Sequence, residues 1–131
     1  MSRPPASEPT EVELQILRIL WERGPSTARQ VHEALQAMKS TNYSTTVKML
    51  GVMLEKQLVA RDDSVRPQVF QAAHTRPVVQ RKMLRRMVDT VYGGSLKALV
   101  LQALSSKEAE SEDLTEIRAL IEDLEAKEGN A

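Results

Sequence analysis

Ser44-Thr45-Thr46-Val47-Lys48-Met49-Leu50-Gly51-Val52-Met53-Leu54 sets three small hydroxyl side chains and a lysine at the head of an apolar run. Val47, Leu50, Met53 and Leu54 fall at i, i+3, i+6 and i+7, the recurrence of one helix face. The spacing predicts a helix over 44–57 with that face turned inward. Its exposed opening then carries Tyr43, Ser44, Thr45, Thr46 and Lys48. Ser44 is placed to cap the helix, and Thr46 is equally placed to turn against the preceding one.

Upstream, Thr10 with Glu13 forms a capping-box pattern, and Pro9 blocks backward extension. Val12, Leu14, Ile16, Leu17, Leu20 and Trp21 follow, with Leu14, Leu17 and Trp21 at helical spacing. Gly24-Pro25 ends this helix, because glycine permits a left-handed turn and proline disfavours helix in the residue before it. Thr27 with Gln30 starts a second helix running to about Met38, with Ala28, Val31, Ala34 and Leu35 on its apolar face. The polar break Lys39-Ser40-Thr41-Asn42 leads into the third. Beyond it, two β-prone pieces at 58–61 and 68–72 flank the turn Asp62-Asp63-Ser64-Val65-Arg66-Pro67. Three helices and then a hairpin is the order of a winged helix-turn-helix domain. It is expected over 9–75, behind a disordered lead-in at 1–8.

The remainder, 76–128, reads as three helices. Pro77 suits a helix start, after which Val79, Met83, Met87 and Val91 recur every four residues, flanked by Leu84 and Val88. The opposite face carries Arg81, Lys82, Arg85 and Arg86. Gly93-Gly94 interrupts, and Ser95 caps a helix holding Leu96, Leu99, Val100, Leu101, Ala103 and Leu104. A last stripe, Leu114, Ile117, Leu120, Ile121 and Leu124, starts from Ser111 or Glu110, with Glu112 and Asp113 at its positive end. Helices so apolar need cover on more than one side. A twofold dimer through Met87, Val91, Leu96, Leu99, Val100, Leu104, Ile117, Leu120, Ile121 and Leu124 is the expected source; packing onto the first domain is the alternative. The whole is mainly α: a winged helix-turn-helix followed by a helical dimerisation domain.

Composition narrows function. With no cysteine there are no disulfides, zinc fingers, iron–sulfur clusters or thiol catalysis. His32 and His74 lack a paired spacing and are expected at surface or boundary positions, so no metal or cofactor is expected. No apolar run approaches the ~20 residues of a membrane span, and MSRPPASEP has no signal-peptide core. The chain is therefore expected to be cytoplasmic and not inserted in a membrane. Charge is unevenly spread: 108–131 holds nine acidic side chains against two basic ones, and the other residues hold 16 basic against nine acidic. That split suits nucleic-acid contact by the first part, and equally a solvated acidic helix in the second. The acidic residues follow helical periodicity and do not form catalytic pairs. No glycine-rich phosphate loop is present either, so no enzyme is expected.

In a helix-turn-helix the first turns of the second motif helix meet base edges. Serine and threonine hydroxyls donate or accept there, a threonine methyl fits against a thymine methyl, and Lys48 reaches guanine or phosphate. Ser44 suits a cap and phosphate contact rather than base reading. Arg66 at the wing tip, Arg61 and Lys56 beside it, and Arg29 near the start of the second helix suit backbone contacts, which position without specifying sequence. A protein-docking module is the rival class. The hydroxyl-rich helix start argues against it, since an interface core favours exposed aromatics and the chain has only Trp21, Tyr43, Phe70 and Tyr92.

The segments ELQILRILWERGPSTARQV (13–31), TTVKML (45–50), LVARDDSVRPQVFQA (58–72) and above all VYGGSLKALVLQAL (91–104) carry a family likeness. The sequence resembles the penicillinase-repressor family, the bacterial winged-helix repressors that include the β-lactamase and methicillin-resistance repressors, over about residues 9–126. The resemblance implies a homodimer that blocks transcription at a dyad-symmetric operator, with the C-terminal helices as interface. Thr45, Thr46 and Lys48 then lie in the recognition helix and Arg66 in the wing. Antibiotic-responsive members are induced by proteolysis at an Asn-Phe bond in the dimerisation region; the matching place here is Gln102-Ala103. Release through a membrane sensor or protease and release by a ligand both stand open. Relatives commonly place glycine between third helix and wing, where this chain has Glu55-Lys56-Gln57-Leu58, and glycine is frequent where the wing tip has Val65-Arg66-Pro67. Copper-responsive relatives use C-terminal cysteines, which this chain lacks.

Overall fold

Both capping boxes form. Thr10 Oγ1 accepts from Glu13 N (3.3 Å) while Glu13 Oε1 accepts from Thr10 N (2.9 Å), and Thr27 and Gln30 repeat the exchange at 3.1 and 2.9 Å. The computed structural model describes residues 8–105 and 110–129. All but the last residue of the expected 1–8 lead-in lies outside them. Within them the order is α1 (Glu11–Arg23), β1 (Ser26–Thr27), α2 (Ala28–Gln36), α3 (Tyr43–Glu55), β2 (Val59–Asp62), β3 (Val69–Ala72), α4 (Arg76–Thr90), α5 (Leu96–Ser105) and α6 (Ser111–Gly129). This is a winged helix-turn-helix followed by a helical region. The chain divides into two compact units between Met83 and Leu84, inside α4.

In the first unit α1, α2 and α3 enclose one core with Leu58, Val59 and Phe70 of the wing. The inward face of α1 is Ile16, Leu17 and Leu20, with Ile19; Leu14 and Trp21, expected on that face, are half-buried at its edge. Phase also differs in α3. Thr46, Leu50 and Met53 are the buried stripe, and Val47, expected inward, is 44% exposed. Apolar spacing favours Val47 over Thr46, but the Thr46 hydroxyl finds a buried partner in His32, so a polar residue takes the core position. His32 is itself buried, not at the surface or boundary as expected.

The sheet has the order β1-β3-β2, antiparallel throughout. The hairpin was expected. The two-residue β1, which pairs Ser26 with Phe70 and Thr27 with Val69, was not. It ties the entry to α2 onto the wing. Two further links close this unit: the Glu13–Lys56 ion pair between the start of α1 and the end of α3, and Trp21 Nε1 donating to His74 O at 2.9 Å.

α3 ends in a Schellman motif. Leu58 N donates to Met53 O (2.9 Å) and Gln57 N to Leu54 O (3.0 Å), with Gln57 in the left-handed region at φ 63°. The flanking Met53 and Leu58 are both buried, which completes the motif's apolar contact. Glycine suits this position, which lies within the stretch 55–58 where the resemblance expects one.

In the second unit Gly93 and Gly94 take φ 58° and 85° after α4, and Ser95 Oγ caps α5 by accepting from Ala98 N at 3.0 Å. α6 starts from Glu110, whose carbonyl accepts from Leu114 N (3.0 Å) and whose N–H donates to Asp113 Oδ2 (3.2 Å). Val88 is buried, but α5 and α6 bury no residue among those described.

Gln57→Gly should raise stability by about 0.5–1 kcal/mol, since a left-handed non-glycine residue costs more than the chain entropy glycine adds. A denaturation midpoint equal to or below wild type contradicts this. Glu13→Ala removes the capping partner and strands Lys56, whose side chain is 15% exposed. A loss of about 3 kcal/mol or more is expected in the same assay.

Candidate nucleic-acid interface

The phase of α3 decides what it shows to solvent. Ser44, Thr45, Lys48, Gly51, Val52 and Glu55 are exposed, together with Val47 and Tyr43 at their border. The helix opens one residue earlier than expected and its cap is Asn42, not Ser44. Asn42 Oδ1 accepts from Thr45 N at 2.8 Å and from Ser44 Oγ at 2.9 Å. Thr46, named among the exposed candidates, is fully buried, with Oγ1 2.8 Å from His32 Nδ1, and so has no surface to offer a ligand. Val47 is the outward residue that sequence reasoning missed. Apolar spacing alone puts it in the core, because valine outranks threonine on any apolar scale.

Arg29, from the first turn of α2, reaches across to α3. Its guanidinium carbon lies 4.3 Å from the centroid of the Tyr43 ring, a cation–π stack that holds the charge beside the opening of α3. The positive N-terminal end of α2 lies behind it. Between α3 and the wing runs an open groove of about 360 Å³, with Val47, Gly51 and Leu54 on one wall and Arg61, Pro67 and Phe70 on the other.

The wing turn is internally braced. Asp62 Oδ1 accepts from Ser64 Oγ at 2.5 Å and from Ser64 N at 2.9 Å. The side-chain hydrogen bond first, and the backbone one after it, hold this carboxyl below its ordinary range. Arg66 Nη1 donates to Asp63 O (2.7 Å) and Val65 O (3.3 Å), which keeps its exposed guanidinium on the tip, next to a cis Arg66–Pro67 peptide. The other two cations expected here are engaged. Arg61 Nε contacts Asp63 Oδ1 at 2.7 Å, and Lys56 sits in its ion pair with Glu13, turned away from the wing surface role assigned to it. The first unit thus exposes Arg29, Tyr43, Ser44, Thr45 and Lys48 around the opening of α3, and Arg66 at the wing tip.

The apolar residues expected to pair protomers are largely uncovered within the second unit. Met87 is 49% exposed, Val91 69%, Leu96 55%, Val100 38%, Leu120 58%, Ile121 47% and Leu124 56%, whereas Leu99, Leu104 and Ile117 are half-buried. Gln102 and Ala103 lie inside α5, both exposed. Among the described residues no group of acidic or histidine side chains could hold a metal ion, and no helix is long and apolar enough to cross a membrane.

The family model described as penicillinase repressor matches residues 9–123. The chain is 30% identical over 122 residues to a protein named transcriptional regulator BlaI from Mycobacterium tuberculosis, covering 92% of this chain and 87% of that one. It is 20% identical over 115 residues to a penicillinase repressor from Staphylococcus aureus, covering 88% of this chain and 91% of that one.

Proposed function

The chain belongs to the penicillinase repressor family, and from that premise we propose that it is a sequence-specific DNA-binding repressor of transcription, acting in the cytoplasm as a homodimer on a dyad-symmetric operator. The observation that carries this reading is the outward face of α3. Ser44, Thr45 and Lys48 stand exposed on its first two turns, the Arg29 guanidinium is stacked on Tyr43 at the helix opening, and Arg66 is exposed on the wing. The Thr45 hydroxyl and Lys48 at the start of the recognition helix read base edges, and Ser44 and the two arginines meet phosphates. Val47 adds methyl surface suited to a thymine methyl.

The helical dimerisation domain proposed for 76–128 supplies the twofold relation. The exposed stripes of α5 and α6 support it, because apolar patches of this extent on a soluble protein mark an association surface. Two recognition helices then enter successive major grooves, with half-sites ~34–36 Å apart or a multiple of that. Release proceeds by proteolysis in α5 at Gln102-Ala103, carried out by a membrane sensor or protease. Ligand-controlled release is the second reading, and one observation favours it: a groove of about 490 Å³ between α1 and the start of α4, with Leu14, Trp21, Val79 and Met83 among its lining.

Selection of duplex DNA from a random pool, followed by footprinting, tests the central reading. Enrichment of a site protected over two half-sites is expected, and no enrichment at moderate salt returns the docking-module alternative. Lys48→Ala and Arg66→Ala should each weaken binding and flatten the salt dependence, by about 0.9 in log–log slope for every phosphate no longer neutralised. Unchanged affinity and slope in both remove these residues from the interface. Leu99→Asp combined with Ile121→Asp should yield a folded monomer by analytical ultracentrifugation that no longer binds the operator; a persistent dimer contradicts the assigned interface.

A further inference from the structure

Behind the outward face of α3, the two motif helices share a buried chain of polar groups. His32 is 8% exposed and Thr46 0%. The ring Nδ1 of His32 lies 2.8 Å from Thr46 Oγ1, and its Nε2 lies 3.2 Å from Gln36 Nε2. Gln36 Oε1, in turn, lies 3.2 Å from the backbone N of Thr41.

Pairing each donor with an acceptor assigns the protons. A backbone N–H only donates, so the group of Gln36 that faces Thr41 is its carbonyl oxygen, and its NH₂ faces His32. An NH₂ only donates, so His32 Nε2 is the bare nitrogen that accepts. The ring proton is therefore on Nδ1 and is given to Thr46 Oγ1. The Thr46 hydroxyl keeps its own hydrogen to donate, and Asn42 O lies 3.5 Å away. The chain thus has one direction, from Gln36 through His32 and Thr46 to Asn42, while Thr41 donates into Gln36. Thr41 and Asn42 are neighbours in the turn between α2 and α3, and Asn42 is the cap of α3. One imidazole therefore grips that turn from two sides. The same ring meets Tyr43 at 81° with centroids 5.5 Å apart, and Tyr43 carries the Arg29 guanidinium.

We propose that His32, as the Nδ1–H tautomer, is a positioning residue for DNA recognition: it sets the angle at which α3 leaves the turn and, through Tyr43, the place of Arg29. This rests on the proposed DNA-binding function and adds a residue that touches no DNA. A single ring does this work because its two nitrogens, of opposite hydrogen-bonding character, meet groups from both sides of the turn. A buried apolar residue of the same volume would fill the space and leave the turn free to shift.

The experiment uses full-length wild type and the variants His32→Leu, His32→Asn and Thr46→Val. Each is measured against the selected operator duplex and an unrelated duplex of equal length, at a temperature where its melting curve shows it folded. Asn can supply a donor where Nδ1 stands and so keep the link to Thr46, whereas Leu keeps neither link. Expected for His32→Leu and Thr46→Val is binding about tenfold or more weaker on the operator with little change on the unrelated duplex, since recognition geometry is disturbed while charge is retained. His32→Asn should recover part of that affinity. Long-range ¹H–¹⁵N correlation of the wild-type ring should report the proton on Nδ1. Equal weakening on both duplexes overturns the proposal in favour of simple core packing. So does unchanged operator preference in His32→Leu, or a proton on Nε2. A wild type that prefers no duplex overturns the DNA-binding reading itself, a result distinct from preference retained by His32→Leu.

Discussion

α3 can present only one of its faces, and Thr46, Leu50 and Met53 make the choice by being wholly buried against the core. One residue of rotation is about 100° on a helix. Had Val47 taken the inward place instead of Thr46, Lys48 would have swung toward the wing and the hydroxyl of Thr46 to the surface. Two terms oppose that slip. Leu50 and Met53 each contribute about 1.5–3 kcal/mol by burial. The Thr46 hydroxyl, placed inside, meets His32 at 2.8 Å and so escapes the roughly 1–3 kcal/mol cost of an unsatisfied buried polar group. The apolar stripe holds the helix in the core, and the polar contact selects its rotation.

That division of labour explains what was legible in the sequence. The helix starts at Thr10, Thr27 and Ser95 could be read because a cap is a local pattern of a few residues. The glycines closing α1 and α4 were legible for the same reason: the left-handed turn is a demand of the backbone at one position. The phase of α3 was not, because it depends on a histidine 14 residues upstream whose value as a partner has no local signature. The same holds for Lys56, a cation that any surface count assigns to solvent or DNA until its contact with Glu13, 43 residues away, is known. β1 escaped notice because two residues carry no period. At the candidate site, composition found the hydroxyls and cations but could not separate exposed Arg66 from engaged Lys56.

The second unit presents the opposite case. Its helices were plain from apolar spacing and from Gly93-Gly94. Their partner was not legible, since a stripe records that cover is needed and not what provides it. The exposure of Leu96, Leu120 and Leu124, each above half, says that the cover does not come from within this unit. A helix of ten residues such as α5 is marginal in isolation, so its order would gain from a surface that covers it.

On the proposed dimeric reading, this dependence bears on release from the operator. Two half-site contacts tied together bind far more tightly than either alone, and the gain vanishes when the tie is broken. On that reading release needs no change at α3; weakening the proposed α5–α6 surface suffices. Cleavage at Gln102-Ala103 requires an extended chain, and both residues sit in the interior of α5. A protease must wait for that helix to open, which is easy in a free protomer and costly once a partner buries it. On the same proposal the operator-bound dimer would be the protected form and the free protomer the substrate. A protease of the kind proposed would draw down the repressor by removing what dissociates, at a rate set by the strength of the dimer as much as by its own sequence preference.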